Sequence, residues 1–283
     1  MSVHRCGVVA LLGRPNAGKS TLLNALIGEK LAITGPRAQT TRGRTRGLWN
    51  RPGVQIVFCD TPGINRGQTR FNRAMTETAL ACGRDADVRL LLLDVRAHWD
   101  EPEQAVANLE GPTLLVRTKI DTNPPLPVPC PERFAATSPI SARDGTGLDA
   151  LCEAILPLIP ESPPLYPEDQ LTDVSERFLA AEQVREVAFE IYRDEIPYAL
   201  AVEIEEWRET PEPLRIRAHV LVEHESQKAI VVGAGGAMLK KLGRESRVRI
   251  SSGLGKAVHL ELWVKTDRSW RKRPKRSREL GYL

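Results

Sequence analysis

The segment Gly13-Arg14-Pro15-Asn16-Ala17-Gly18-Lys19-Ser20 constrains this chain more than any other. It reads Gly, four residues, Gly-Lys-Ser, the spacing of a phosphate-binding loop. The apolar run Val8 to Leu12 before it reads as a buried strand. Thr21 to Ile27 after it reads as a helix, closed by Gly28. Strand, loop and helix in that order is the context the pattern requires. Glycines let successive backbone N–H groups converge on phosphate oxygens at the positive end of a helix dipole. Gly13 through Thr21 are therefore the expected phosphate-binding residues. Lys19 would reach the β- and γ-phosphates, and the Ser20 hydroxyl would ligate Mg²⁺.

Two further segments complete such a site. Lys30 to Arg46 is polar and glycine-rich, and reads as a mobile loop carrying Gln39-Thr40-Thr41-Arg42. A hydroxyl from a movable loop, here Thr41, can fill the Mg²⁺ shell and tie loop order to the γ-phosphate. Thr45 to Trp49 and Val54 to Cys59 flank Arg51-Pro52-Gly53 and predict an antiparallel hairpin. Its second strand runs into Asp60-Thr61-Pro62-Gly63, where Asp60 would hold Mg²⁺ through water and the Gly63 N–H would bond the γ-phosphate.

The remaining half of the first domain supplies a base site. Phe71 to Cys82 reads as a helix and Val88 to Val95 as a strand whose leucine run suits a parallel position covered on both faces. A short helix at 103–109 leads to the buried strand Thr113 to Arg117, which ends in Thr118-Lys119-Ile120-Asp121. The Asp121 carboxylate can accept two hydrogen bonds from guanine, a pair adenine does not offer, so it would set base choice. Ser141 and Ala142, ending the next strand, would meet the guanine from its far side.

Length and composition set the outer limits. A chain of 283 residues, 41% hydrophobic and 27% charged, suits one large or two medium globular domains. It has no apolar run near the roughly 20 residues that cross a bilayer, and no secretion leader is read at its start. Cys6, Cys59, Cys82, Cys130 and Cys152 are scattered and odd in number, which predicts free thiols in a reducing, cytoplasmic setting. The net charge of +4 is mild, but Arg271 to Arg278 is basic except at Pro274 and Ser277. That run predicts a solvated, disordered tail able to attract phosphate, with Arg271, Lys272 and Arg273 as candidate contacts.

A second domain follows the proline-dense stretch 157–167, a stiff linker. Leu171 to Tyr192 has the period of an amphipathic helix. Ala199 to Trp207 and Leu214 to Val222 alternate as strands, and their opposite charges can meet if the strands pair. Gln227 to Val232 reads as a short helix, then come Gly233-Ala234-Gly235-Gly236, a basic helix with Met238, Leu239, Lys240 and Lys241, and a strand from Ala257 to Lys265. A Gly-X-X-Gly loop between short helices is how a KH domain brings an RNA backbone close to helix N-termini. The expected fold is an α/β P-loop GTPase domain, mostly parallel with helices on both faces, followed by a smaller α+β type II KH domain. Its expected division is 1–160 GTPase domain, 161–170 linker, 171–270 KH domain and 271–283 basic tail.

The ordered motifs GRPNAGKS, TTR, DTPG, TKID and SA look like a translation-factor-class GTPase. With a KH-bearing domain behind them, the chain resembles the Era family of bacterial ribosome-assembly GTPases over nearly its whole length. Glu195-Ile196-Pro197-Tyr198 with Ala201 to Ile204, Gln227 to Ile230, Leu262-Trp263-Val264-Lys265 and Trp270-Arg271 carry that resemblance. It implies a GTP and GDP switch that binds the 3′ end of 16S rRNA and acts in 30S subunit assembly, as a monomer. Some members of the family associate peripherally with the inner face of the cell membrane.

Three departures stand out. Thr118 replaces the usual Asn; a Thr hydroxyl can brace the phosphate loop in part, so guanine choice is expected to persist. The segment 122–137 is short and proline-rich, so the helix usual there is expected to be reduced or absent. Ala234-Gly235 fills the KH loop where members often carry Lys, which removes one phosphate contact. Ile64 follows Gly63 where Ras-like enzymes place a water-orienting Gln, and an apolar side chain cannot polarise water. The resemblance implies K⁺, held in part by Asn16, in place of an arginine finger. Slow Mg-dependent hydrolysis is the expectation, with Lys19, Thr41, Gly63 and Asn16 as its residues. A nucleotide-binding RNA chaperone with negligible turnover is the alternative, and a P-loop kinase is disfavoured because TKID and SA serve base recognition.

Overall fold

The computed structural model describes residues 4–35, 40–65, 69–124, 126–127, 131–209 and 213–282. The chain divides into two compact units, Met1–Asp173 and Val174–Leu283.

The first unit is built on a six-stranded sheet in the order β2-β3-β1-β4-β5-β6. The strands are β1 (Arg5–Gly13), β2 (Thr45–Arg51), β3 (Val54–Asp60), β4 (Val88–Asp94), β5 (Thr113–Thr118) and β6 (Ala136–Ile140). Only β2 runs antiparallel, through its hairpin with β3, as the Pro-Gly turn predicts. Parallel strands need helical crossovers, and these bury both faces of the sheet. Hence Leu90 to Leu93 are all buried. The helices are α1 (Lys19–Ile27), α2 (Arg70–Asp85), α3 (Glu101–Ala107) and α4 (Leu148–Ile155). Local chemistry fixes their ends. Gly28 takes a left-handed conformation after α1, and the Thr69 hydroxyl accepts from the Asn72 N–H to start α2. Asp100 and Glu103 form a reciprocal capping box at α3, so that helix begins two residues before its predicted start. Between β5 and β6 the described residues contain one 3₁₀ turn, Pro131–Arg133, consistent with a reduced helix there.

The second unit has α5 (Glu176–Ile191), α6 (Ile196–Ala199), β7 (Ala201–Arg208), β8 (Leu214–Val222), α7 (Glu225–Val232), α8 (Ala237–Leu254), β9 (Val258–Thr266) and α9 (Pro274–Glu279). The strand β8 lies between antiparallel β7 and parallel β9, and the helices cover one face around Val184, Leu200, Val220 and Leu242. Charges do meet across the ladder, with Arg217 Nη1 3.1 Å from Glu206 Oε2. A bulge between Ile204 and Glu206 breaks the strict alternation expected of β7.

Three expectations are corrected. Residues 161–170 belong with the first unit. Gln55 on β3 accepts the N–H of Leu165 and of Tyr166, and donates to the Tyr166 carbonyl. The predicted helix at Leu171 starts only at Glu176. Leu171 and Thr172 bond the edge strand β2 instead, and the Ser175 hydroxyl accepts from the Phe178 N–H as the cap of α5. The basic tail is folded rather than disordered. Trp270, Ser277, Leu280 and Tyr282 are buried, and the Trp270 indole N–H donates to Ala199 O at 3.1 Å. The Arg276 guanidinium is held by both oxygens of Glu203, at 2.7 and 2.8 Å, and by Asp267 at 3.1 Å.

Candidate functional site

The loop after β1 bends over the C-terminal end of the sheet because Gly13 and Gly18 adopt positive φ. A Cβ on Gly13 would lie 2.4 Å from the Leu92 carbonyl oxygen, so only glycine fits there. Asn16 also takes a left-handed conformation and is exposed at the rim. A cleft of about 720 Å³ opens here, lined by residues 14–21 with Thr40, Thr41, Gly63, Asp94 and Lys119.

Lys19 lies at its floor, 5% exposed, donating to Gly13 O at 3.2 Å and to Arg14 O at 2.9 Å. Burial lowers its pKa to about 8, with the Asp60 charge opposing. Among the described residues its ammonium donates to backbone carbonyls, which phosphate oxygens could replace. Beside it, Ser20 Oγ donates to Asp60 Oδ2 at 2.6 Å and lies 2.8 Å from Thr41 Oγ1, which itself reaches Asp60 Oδ2 at 3.3 Å. The Asp60 side chain is fully buried, and its Oδ1 has no hydrogen-bond partner among the described residues. Burial raises its pKa, while Lys19, Ser20 and Thr41 oppose the rise. Three hard oxygen donors from three separate segments, one carrying an unsatisfied lone-pair site, fit a small divalent cation such as Mg²⁺.

The turn Asp60 to Gly63 rests directly on the phosphate loop. Ile64 N–H donates to Gly13 O at 3.0 Å, and a Cβ on Gly63 would lie 2.5 Å from the Pro15 nitrogen. Ile64 is 3% exposed and packs into the core. On the other side of the loop, the Thr118 hydroxyl donates to Ala17 O at 2.8 Å. Lys119 is left-handed, and its ammonium donates to Asn16 O and to Asp94 Oδ2, both at 2.8 Å. Burial alone would raise the Asp94 pKa, but hydrogen bonds from Arg96 and Lys119 hold it well below the ordinary carboxylate range.

The base motif is less compactly placed. Asp121 is exposed. The Ser141 N–H donates to Thr146 O at 2.9 Å, which fixes the turn after β6. Ala142 borders an adjoining cleft of about 600 Å³ with Thr21, Asn24, Lys30 and Arg143. Two features escaped sequence reading. Arg14 grips the fully buried Glu103 carboxylate in a bidentate pair at 2.7 and 2.8 Å, tying the phosphate loop to α3. Asp94 orients Lys119. The Asp100-x-x-Glu103 capping signature and the position of Asp94 at a strand C-terminus were the available signals.

In the second unit, Gly233, Gly235 and Gly236 all have positive φ, which makes the turn between α7 and α8 possible. Ala234 is exposed at its tip. Met238 and Leu239 pack against the core alongside Leu260 and Leu262, so they serve the fold on one side. Lys240 and Lys241 are exposed, the latter 4.0 Å from Glu245. Of the three tail residues, Arg271 is paired with Glu223 at 3.0 Å, while Lys272 and Arg273 are exposed.

This fold and these sites define a P-loop GTPase unit followed by a KH unit. Residues 8–119 match the family described as 50S ribosome-binding GTPase, and residues 195–271 match the KH domain family. The chain is 43% identical to GTPase Era of Geobacter metallireducens, with 98% of each chain covered, and 40% identical to that of Halothermothrix orenii, with 99% of each covered. Its structure matches a single-residue variant of Aquifex aeolicus Era bound to GDP·AlF4⁻ with a TM-score of 0.92, at 39% identity over 98% of this chain and 99% of that one. It matches Era in complex with MgGDPNP and nucleotides 1506–1542 of 16S ribosomal RNA with a TM-score of 0.90, at 37% identity over 99% of each. The chain belongs to the Era family of GTPases. Among the described residues, no helix is long and apolar enough to cross a membrane.

Proposed function

We propose that this protein is a GTP-driven switch that binds the 3′ end of 16S rRNA through its KH unit during assembly of the 30S subunit. The observation that carries the switch reading is the meeting of Ser20, Thr41 and Asp60, with one Asp60 oxygen unsatisfied. Thr41 sits on a loop outside the sheet, so its place in this cluster links loop order to what occupies the cleft. The 16S RNA fragment in a structural relative with a TM-score of 0.90 supports the RNA assignment.

In this reading Gly13 to Thr21 cradle the phosphates and Lys19 exchanges its two backbone carbonyls for phosphate oxygens. Ser20 and Thr41 would hold Mg²⁺ directly and Asp60 would hold it through water. The ion would supply charge neutralisation at the phosphates. Gly63, packed close against Pro15, would turn its N–H to the γ-phosphate, and buried Ile64 closes the site without orienting water. Thr118 and Lys119 hold the phosphate loop against the base site, where Asp121 and Ala142 read guanine. Hydrolysis is expected to be slow, and Asn16 would help hold a K⁺ whose charge would stand where an arginine finger otherwise acts. Gly233 to Gly236 receive the RNA backbone, with Met238 to Lys241, Lys272 and Arg273 beside it; Arg271 contributes after leaving Glu223. The protein works as a cytoplasmic monomer, and any membrane association is peripheral.

Calorimetry with GTP and ATP, and turnover in K⁺ or Na⁺ with and without an RNA of the 16S 3′ end, test this reading. GTP should be preferred, Lys19→Ala should abolish uptake, and K⁺ and RNA should each raise turnover. Equal uptake of ATP would overturn the guanine assignment. Identical turnover in both salts, in wild type and Asn16→Asp, would remove K⁺.

A further inference from the structure

Two buried thiols of the first unit face each other outside the nucleotide chemistry. Cys59 lies on β3 one residue before Asp60, and Cys82 lies in the last turn of α2. Their sulfurs are 3.1 Å apart and share a hydrogen bond across 23 residues of sequence. The other described cysteines are placed differently. Cys6 meets the Gln55 side-chain oxygen at 3.6 Å, and Cys152 packs in the core with Leu151 and Ile155. Cys130 lies outside the described residues. All five read alike in sequence; among the described residues the fold brings Cys59 and Cys82 together.

We propose that Cys59 and Cys82 form a redox modification site, an intramolecular disulfide closed by a peroxide-class oxidant and reopened by thiols. A disulfide bond is shorter than this separation, so side-chain rotation or a small shift of α2 must close the gap. One sulfur attacks a peroxide oxygen. The O–O bond breaks, a sulfenic acid forms, and the departing hydroxide takes the thiol proton as water. The second sulfur then attacks the sulfenic sulfur. The S–S bond forms, the S–O bond breaks, and the second hydroxide leaves as water with the second thiol proton. The two sulfurs lose two electrons and the two peroxide oxygens gain them.

Closing this bond makes a ring of residues 59–82, which contains the whole turn from Asp60 to Gly63. Its consequence rests on the proposed function. If Gly63 must leave Pro15 to meet a γ-phosphate, a closed ring limits that excursion and slows the cycle.

Hydrogen peroxide is applied to the native full-length protein, which is then alkylated and mapped as peptides without reductant. The expected product is a cross-linked peptide holding Cys59 and Cys82, lighter by two hydrogens, reversed by dithiothreitol and absent in Cys82→Ser. Turnover of GTP should fall at least about threefold on oxidation and return on reduction, the scale of a restrained loop rather than a lost catalytic group. Alkylated, unlinked Cys59 and Cys82 after peroxide, or a cross-link formed only in urea, would overturn the site. A cross-link with unchanged turnover would overturn the restraint. Wild-type mapping decides the site even where Cys82→Ser does not fold. The mass is read without nucleotide, so its failure is distinct from failure of the GTP reading.

Discussion

The Thr118 hydroxyl donates a 2.8 Å hydrogen bond to the Ala17 carbonyl oxygen, joining residues 101 positions apart. Thr118 is 3% exposed, so water does not compete for that carbonyl. The end of β5 thereby braces the phosphate loop, as the sequence reading expects of a hydroxyl in the place of Asn.

Thr118→Val keeps the shape and removes the donor. A net hydrogen bond contributes about 1 kcal/mol and an unsatisfied buried carbonyl costs about 1–3 kcal/mol. Affinity for GTP and GDP should therefore fall about tenfold or more, since 1.4 kcal/mol is tenfold. Thr118→Asn should stay within about threefold of wild type, because its amide can donate to the same carbonyl. Calorimetry with both nucleotides checks the pair; an unaffected Thr118→Val would show that the brace does not bear on binding.

Asp60→Asn addresses the cation. The amide keeps the volume and one carbonyl oxygen but loses the charge that a hard divalent ion requires. The Mg²⁺ concentration giving half-maximal GTP hydrolysis should rise at least about tenfold, while excess Mg²⁺ restores part of the rate. Chelation should abolish turnover in both proteins. A Mg²⁺ dependence identical to wild type would place the ion elsewhere.

The first unit was legible because its signals are local. Glycine spacing, a Pro-Gly hairpin and an unbroken leucine run each dictate geometry within a few residues. The cluster of Ser20, Thr41 and Asp60 was also reachable, because each residue lies in a motif whose role depends on the others. What sequence hid was partner choice at long range. Charge density from Arg271 to Arg278 argues for solvation, yet Arg276 finds Glu203 and Asp267, and Trp270, Leu280 and Tyr282 supply buried apolar area at spacings too irregular to read as an element. The start of α5 was obscured because Val174 fits the helical period although Ser175 caps the helix after it.

The Arg276 clasp predicts an acid response in the second unit. The hydrogen bonds from Arg276 hold the Glu203 pKa below its ordinary 4.5, against the opposing effect of burial. A carboxylate whose pKa is depressed by folding stabilises the native state above its unfolded pKa, and that contribution is lost as pH falls through the folded value. The folded tail should therefore be intact at neutral pH and loosen below pH 4.5. The indole N–H resonance of Trp270, bonded to Ala199 O, reports this. It should shift toward the solvent position on acidification, and in Glu203→Gln should already be displaced at neutral pH. A resonance insensitive to both changes would mean that the apolar contacts of Trp270 alone hold the tail.

Gly233 tests the proposed RNA loop without touching a charge. Its φ of +72° disfavours any side chain, and a Cβ there would sit 2.6 Å from Met238 Cγ and 3.1 Å from the Met238 backbone nitrogen. The methionine side chain can swing away, but the backbone nitrogen at the start of α8 cannot without moving the helix. Left-handed backbone at a non-glycine residue costs on the order of 1–3 kcal/mol. Gly233→Ala should therefore displace the loop from the geometry that lets a phosphate approach the helix. Binding of a 16S 3′-end RNA should weaken about tenfold or more, while basal GTP turnover in the separate first unit stays at the wild-type level. The companion change Ala234→Lys, at an exposed tip, should strengthen binding of the same RNA and steepen its salt dependence by one phosphate contact. RNA binding unchanged in both variants would remove the Gly233 to Gly236 turn from the interface, whatever the first unit does.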